Sequence, residues 1–397
     1  MTTVAGNTHD ARPSDFADVA TGQVHGELGF PCLIAASRGG LGVFAARHID
    51  AGEIVITEIP FAITVSVEAC HRRCAVCLAD ARRSSSTAWP HLCRGCYQQR
   101  YCSTACQQTA QATFHPLSGV ECTGLAHAHA DSQTTFETRD NVAHIIRILA
   151  NRVSGASIPI GARARVGYDG YSRLTGVPAS TPAEEQCRRA CSRIATKALP
   201  AEARIPHLDL MGLLSRHASN VYGINGPGGE DIGSATFVGF MSLFNHSCTP
   251  NLALDAAAAH NHHASQSSHE PPAFSLVAIR EVASGEELCI TYLTASLLAD
   301  AEGQDERRTH LKECYGFECG CSRCSMESTD IVAAARRAEL TRCTAEECGT
   351  GICVPVTADD ARYDAVAGCL SVPQPSATHA RHSRCTHCGT VRDAGVG

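Results

Sequence analysis

Twenty-three cysteines in 397 residues constrain this chain more than any other feature, because they cluster. Residues 74–122 carry Cys74-x2-Cys77, Cys93-x2-Cys96, Cys102-x3-Cys106, His115 and Cys122, a set of eight soft or borderline ligands. Zinc takes four ligands in a tetrahedral array, so eight residues make two closed sites, and a two-residue gap lets both thiolates of a pair reach one metal. Between the pairs the chain offers Ser84, Ser85, Ser86, Gly95 and a lone Trp89 in place of a periodic apolar face. Metal, and not a hydrophobic core, is expected to hold this segment together. Buried free thiols packed as small hydrophobes do not account for three such pairs in succession. Six residues separate His115 from Cys122, and His91, His127 and His129 are rivals for its place; Cys70 spaces less well to Cys74 than Cys77 does.

Two further groups lie downstream. Cys319, Cys321 and Cys324 are three ligands and cannot close a structural site alone; Cys248, in Phe244-Asn-His-Ser-Cys-Thr-Pro-Asn251, is the candidate fourth. Cys343-x4-Cys348-Gly and Cys385-x2-Cys388-Gly read as a zinc ribbon, with Cys353 as an alternative ligand and glycine relieving the tight turn after each pair. We therefore expect three zinc sites and a possible fourth. Cys32, Cys187, Cys191, Cys289, Cys314 and Cys369 remain as ordinary thiols, with Cys187 and Cys191 facing a helical core.

Metal-ligand cysteines imply reducing surroundings. The stretch Met1–Gly29 carries Asp10, Asp15 and Asp18 and no apolar core, and about eighteen consecutive apolar residues occur nowhere. A soluble intracellular chain, cytoplasmic or nuclear, monomeric and without a membrane partner, is expected. With 33 Lys+Arg against 40 Asp+Glu the formal charge is -7, which excludes strong direct nucleic-acid binding as the main task. The length allows two or three domains.

Phe30–Ala35 and Val43–Ala46 read as strands around a Gly39-Gly-Leu-Gly42 turn, and Glu53–Ile59 continues the β character. The period then becomes helical. Val142, Ile145, Ile146, Leu149 and Val153 follow one face up to Gly155; Thr181-Pro-Ala-Glu184 is a capping-box start; Leu208–Ser219 forms a third helix. From Phe237 β runs resume, including Phe274–Ile279 and Glu287–Tyr292; a solvated, His-containing loop over 256–272 precedes these two, and Asp330–Leu340 is a last helix candidate.

The first cluster resembles the MYND zinc finger, whose ligands interleave. The resemblance implies Cys74, Cys77, Cys102 and Cys106 on one zinc and Cys93, Cys96, His115 and Cys122 on the other, although the family usually places three residues between its last His and Cys. In order along the chain, Gly40-Leu-Gly-Val-Phe-Ala45, Asn245-His-Ser-Cys-Thr-Pro-Asn251, Gly285-Glu-Glu-Leu-Cys-Ile-Thr-Tyr292 and Tyr315-Gly-Phe-Glu-Cys-Gly-Cys-Ser-Arg-Cys324 resemble SET-domain methyltransferases. A MYND finger between the first two is the SMYD-type layout.

That resemblance implies a mixed, β-rich SET fold of short-stranded sheets. Its expected divisions are a tail at 1–29, a first SET part at 30–70, the finger at 71–125, a helical insert at 126–235, the catalytic core at 236–298, a post-SET zinc segment at 299–328 and a zinc-ribbon-like end at 329–397. It further implies transfer of methyl from S-adenosylmethionine to a protein lysine. Gly40, Leu41, Gly42, Asn245, His246 and Phe317 would bind the cofactor, Tyr292 would be catalytic, and Tyr292 and Tyr315 would line the lysine channel. Cys248 would complete the post-SET zinc site. The partners implied are a protein bearing the target lysine and a Pro-rich peptide at the finger. An inactive SET scaffold presenting that finger is the alternative from another class.

Overall fold

The computed structural model describes residues 31–325 apart from 38–39, 130–134, 161–163, 227–229, 257–270, 295–296 and 299–302, and beyond them only 348, 353–356, 382–385 and 391–393. The expected tail, the 330–340 helix, most of the His-containing loop, Cys343 and Cys388 lie outside the described residues.

Three short sheets make the β framework. In the first, the order is β1 (Cys32–Ser37), β2 (Gly40–Ala45), β14 (Glu287–Ile290) and β11 (Asn245–His246); all pairings are antiparallel except that of β11 with β14. Gly40, Leu41 and Gly42 thus belong to a strand, with Gly40 opposite Ser37, and not to the turn expected of them. Consecutive glycines signal a bend in sequence, but Gly40 and Gly42 lie in a strand whose edge other groups can approach closely. The second sheet is β4 (Ala62–Val65), β10 (Asp231–Thr236) and β9 (Val221–Asn225), and the third is β12 (Leu252–Asp255), β13 (Phe274–Ala278) and β3 (Ile54–Glu58). The chain therefore returns to β structure at Val221, ahead of the expected Phe237. The sequence Val221-Tyr-Gly-Ile-Asn225 lacks a clean alternation, and its pairing with β10 supplies what pattern does not. Aliphatic and aromatic residues of these strands, among them Val43, Ile56, Ile63, Phe274 and Leu288, share one buried core with Phe237, which follows β10.

The finger holds a two-residue ladder, β5 (His91–Leu92) with β6 (Arg100–Tyr101), then α1 (Thr104–Ala112) and α2 (Val120–His129). Its cysteines, Trp89 and Tyr101 pack into a second core together with the insert helices. Chief among those is α3 (Phe136–Ser154), capped by Thr135, which accepts from the Thr138 N–H, and ended by Gly155 at φ 67°. Val142, Ile145, Ile146 and Leu149 are buried as the period requires, whereas Val153 is 42% exposed in the last turn. The other insert elements are the hairpin β7 (Ile158–Ile160) and β8 (Ala164–Val166), then α4 (Tyr168–Arg173), α5 (Pro182–Ala198) and α6 (His207–Asn220). Helix α5 begins as the sequence predicts, with Thr181 accepting from the Glu184 N–H, but the Glu184 carboxylate reaches back to the Ser180 N–H. Cys191 is buried in the core and Cys187 packs partly against it.

After β14 come α7 (Gln304–Tyr315) and α8 (Ser322–Ser325); a small sheet of β15 (Cys353–Val356), β16 (His382–Cys385) and β17 (Val391–Asp393) follows. Among the described residues no helix is long and apolar enough to cross a membrane.

Candidate active site and metal centres

Three groups of four donor atoms lie within 4.8 Å of one another: Cys74, Cys77, Cys102 and Cys106; Cys93, Cys96, His115 and Cys122; and Cys248, Cys319, Cys321 and Cys324. Zinc with Zn–S bonds of about 2.3 Å spaces sulfurs about 3.8 Å apart in a tetrahedron. The observed Sγ separations fit: 3.6 Å for Cys77 and Cys102, 3.7 Å for Cys93 and Cys122, and 3.6 Å for Cys248 and Cys324. Donor sets of thiolates, with one imidazole in the second group, suit zinc.

The eighth donor in the two finger groups is His115. Its Nε2 lies 3.4 Å from Cys96 Sγ, and its Nδ1 is 3.0 Å from Glu121 Oε2, so the ring donates from Nδ1 and keeps Nε2 for a metal. The rivals are placed otherwise; His127 Nδ1, for one, faces the Ala198 carbonyl. Cys70 donates to the Val67 carbonyl and joins neither group. Glu121 is fully buried, and its other oxygen accepts from Arg147 Nε at 2.6 Å. Burial works against this carboxylate, yet Arg147 and His115 hold it below the usual carboxylate range. Nothing in the spacing of the cysteines signals this bridge, because Arg147 arrives from α3.

In the C-terminal segment Cys348 and Cys385 are buried with Sγ atoms 3.8 Å apart, and Cys353, opposite Cys385 in the β15–β16 pair, packs against them. The geometry brings Cys353 to this pair, and the other proposed ligands, Cys343 and Cys388, lie outside the described residues.

The third metal group sits beside the residues singled out for chemistry. Helix α7 ends at Gly316 with φ 75°, a left-handed value that a side chain would strain. The turn sets Tyr315 on one side and Phe317 on the other: the Tyr315 ring lies 4.8 Å from that of Tyr292, and the Phe317 ring 6.0 Å from that of His246. Tyr292, Tyr315 and Phe317 pack with Cys248, Cys319, Cys324 and Leu311 in one small cluster.

His246 links this cluster to the sheet. Its Nδ1 accepts from the Tyr292 N–H at 3.0 Å, so the proton is on Nε2, which faces Cys248 Sγ at 3.3 Å. Burial pushes its pKa down to about 4, and the ring is neutral. Both nitrogens are engaged within the protein, which leaves the backbone and ring face to any ligand. The Tyr292 hydroxyl donates to the Phe244 carbonyl at 2.8 Å and that of Tyr315 to the Tyr292 carbonyl at 3.3 Å. Burial raises both, Tyr315 to about 12 and Tyr292 further, so each hydroxyl stays protonated near neutrality. They can orient a polar group but not act as bases.

Asn245 ties in the glycine strand. Its Nδ2 donates to the Leu41 carbonyl at 3.1 Å and to Glu287 Oε1 at 2.9 Å, and the Ser37 hydroxyl donates to the same Glu287 oxygen at 2.7 Å. A Cβ on Gly42 would lie 2.6 Å from that oxygen and 3.0 Å from Asn245 Nδ2, so only glycine admits this three-way junction. A Cβ on Gly40 would meet nothing within 4 Å, and open space therefore borders the strand at its first residue. Asn251 completes the segment: its Oδ1 accepts from the Cys289 N–H and its Nδ2 donates to the Glu287 carbonyl. Sequence reasoning missed Tyr222 on β9, whose hydroxyl donates to the Met241 carbonyl at 2.9 Å. Burial, with Tyr292, Glu58 and Tyr315 nearby, raises it well above the ordinary tyrosine value. An isolated tyrosine in a Gly-containing strand carries no local signal of such a position.

A family model described as the SET domain matches residues 40–293. The chain is 25% identical over 300 residues to histone-lysine N-methyltransferase SMYD3 of Mus musculus, a match covering 74% of this chain and 61% of that protein. It is 24% identical over 301 residues to the Homo sapiens protein of the same name, covering 75% and 61% respectively. Identity is 22% over 305 residues with histone-lysine N-methyltransferase ASHR2 of Arabidopsis thaliana, covering 74% of this chain and 72% of that protein. The chain thus spans about 61% of the length of the two animal relatives.

Proposed function

The chain belongs to the SET domain family, and on that premise we propose that it transfers the methyl group of S-adenosylmethionine to the side-chain amine of a lysine in a protein substrate. The observation that carries this reading is the convergence of Asn245, His246, Tyr292, Tyr315 and Phe317 beside the Gly40–Gly42 edge. Residues from four separate stretches of sequence meet there, each with the chemistry the reaction needs.

The cofactor, when bound, supplies an electrophilic methyl: the amine lone pair forms the new N–C bond as the C–S bond breaks and its electrons pass to sulfur. The residues of the chain do the rest. The backbone at Gly40, Leu41, Gly42, Asn245 and His246 allows close polar approach, and Phe317 offers an aromatic surface to the adenine. Tyr292, Tyr315 and Tyr222 wall the lysine channel. Because their hydroxyls remain protonated, Tyr292 serves by orienting amine and methyl group and not by taking a proton. The lysine must lose its proton from an ordinary pKa of about 10.4; a desolvated channel beside a sulfonium cation lowers that value, and water carries the proton away.

Zinc is taken to fill the three groups of four ligands, with a further site at Cys348, Cys385 and Cys353 or their neighbours Cys343 and Cys388. The relatives named as histone-lysine methyltransferases make a histone one acceptor class and other proteins the second. In this reading the finger has its own partner, a Pro-rich peptide, for which exposed Tyr97 supplies an aromatic face.

Calorimetric titration of the zinc-replete protein with S-adenosylmethionine tests the proposal. Micromolar binding is expected, weakened about tenfold or more by Phe317→Ala and by Asn245→Ala. A folded, zinc-replete protein that does not bind would overturn it and leave the finger-centred interaction scaffold.

A further inference from the structure

We infer that Glu58 is a positioning residue of this site: its buried carboxylate grips the turn Phe240–Leu243 from behind and so sets where the hydroxyls of Tyr222 and Tyr292 point. The inference rests on the methyl-transfer reading for its consequence but on backbone geometry for its substance.

Glu58 closes β3, opposite Phe274 of β13, and is almost wholly buried. Its Oε1 accepts from the Gly239 N–H and its Oε2 from the Met241 N–H, both at 2.9 Å. A Cβ on Gly239 would fall 2.7–2.9 Å from the carboxyl atoms, so the carboxylate occupies a niche that glycine alone leaves open. The opposite, carbonyl side of the same stretch carries the tyrosines. Met241 O accepts the Tyr222 hydroxyl at 2.9 Å, and Phe244 O accepts the Tyr292 hydroxyl at 2.8 Å. One short turn therefore has an anion on its donor side and two channel hydroxyls on its acceptor side, and a shift of the turn moves both hydroxyls.

Two N–H donors aimed at one side chain demand two acceptor atoms, which a carboxylate has and an amide lacks. Glutamine would turn an NH2 group toward one of the N–H donors. Burial pushes the Glu58 acid up to about 7, held from rising further by the N–H groups of Met241, Gly239, Val238 and Phe240. Burial and these N–H groups are the largest influences on it; the titratable group facing Glu58 is Tyr222 of β9, with Tyr292 and Tyr315 beside it. The two-point grip is thus complete above about pH 7 and is lost as pH falls through that value.

The test follows the backbone first. In the wild-type protein the Gly239 and Met241 amide resonances are expected to titrate together with a midpoint near pH 7, and to stop titrating in Glu58→Gln. Methyl transfer is then followed with core histones as acceptor. Glu58→Gln is expected to lower kcat about tenfold, to leave S-adenosylmethionine affinity unchanged and to remove the acidic limb near pH 7. Amides that do not titrate, or a folded Glu58→Gln protein with wild-type kcat or an intact acidic limb, would overturn the inference. Should that variant not fold, Glu58→Asp keeps the charge one methylene short and should lower kcat while retaining the limb; wild-type kcat in it counts against the grip. If the wild-type protein binds no cofactor, the methyl-transfer reading fails, and the amide titration still decides whether Glu58 holds the turn.

Discussion

In the finger, each metal group draws its ligands from a short stretch: Cys74 to Cys106 for one and Cys93 to Cys122 for the other. The third group takes Cys248 from just after β11 and its remaining ligands from 71 or more residues further along. The same chemistry serves two ends. Local groups stand in for a core where the sequence supplies little apolar material, and they finish a module that then packs its exterior on α3 and α5. With zinc bound as proposed, the distant group makes no module; it closes a long loop, whose entropic cost grows only slowly with length, and fixes Tyr315 and Phe317 against Tyr292 and His246. The lesson is that ligand spacing tells what a metal is for: short spans build a part, and long spans register two parts.

The strongest way to break this comparison is a pair of substitutions. Cys248→Ala and Cys106→Ala should each remove one equivalent of zinc by metal analysis. Only Cys248→Ala should also weaken S-adenosylmethionine binding, by on the order of a hundredfold or more, about 2.7 kcal/mol; Cys106→Ala should leave it within about threefold. Equal losses in both would show that the two kinds of group act alike.

A smaller effect probes how the finger is joined to the rest. Arg147 on α3 reaches Glu121 in the finger at 2.6 Å and lies 3.9 Å over the Phe114 ring. Arg147→Ala leaves a buried carboxylate with one partner fewer, so denaturant melts should report a loss of about 3–5 kcal/mol. A loss under about 1 kcal/mol would mean that the finger docks through its apolar contacts alone.

The smallest effect sharpens the local side of the comparison. Glu121→Gln keeps an acceptor for His115 Nδ1 but removes the charge that raises the basicity of the ring. Zinc affinity of that site should fall about 10–100-fold in chelator competition, with the Cys74 and Cys248 groups unchanged. Loss of zinc from all three groups would indicate that they are coupled.

Much of this was legible in the chain. The ligand quartets could be read because zinc enforces close spacing, and α3 and α5 because their caps and periods agree with their burial. Asn245, His246, Tyr292, Tyr315 and Phe317 were singled out by ordered motifs, and the fold brings their side chains and backbone close together. What escaped was whatever depends on a distant partner: Glu121 meeting Arg147, Glu58 meeting Gly239, Tyr222 meeting Met241. Each of these residues looks unremarkable among its neighbours, and its significance comes from a backbone group or side chain at least 19 residues away. The Gly40–Gly42 strand was misread as a turn for a related reason, since its close approach is to Glu287 and Asn245 and not to anything nearby in sequence.

The segment from Phe244 to Asn251 supplies, in order, the acceptor for the Tyr292 hydroxyl, the amide that reaches Leu41, the ring that takes the Tyr292 N–H, a metal thiolate and the side chain that clamps β14. Five tasks at fixed offsets make it behave as a ruler. A substitution disturbs the task at its own mark, but adding or deleting a single residue would displace every later mark at once. This stretch should therefore keep its length through descent even where its composition drifts, and no change confined to it could adjust the metal site without also moving the chemistry.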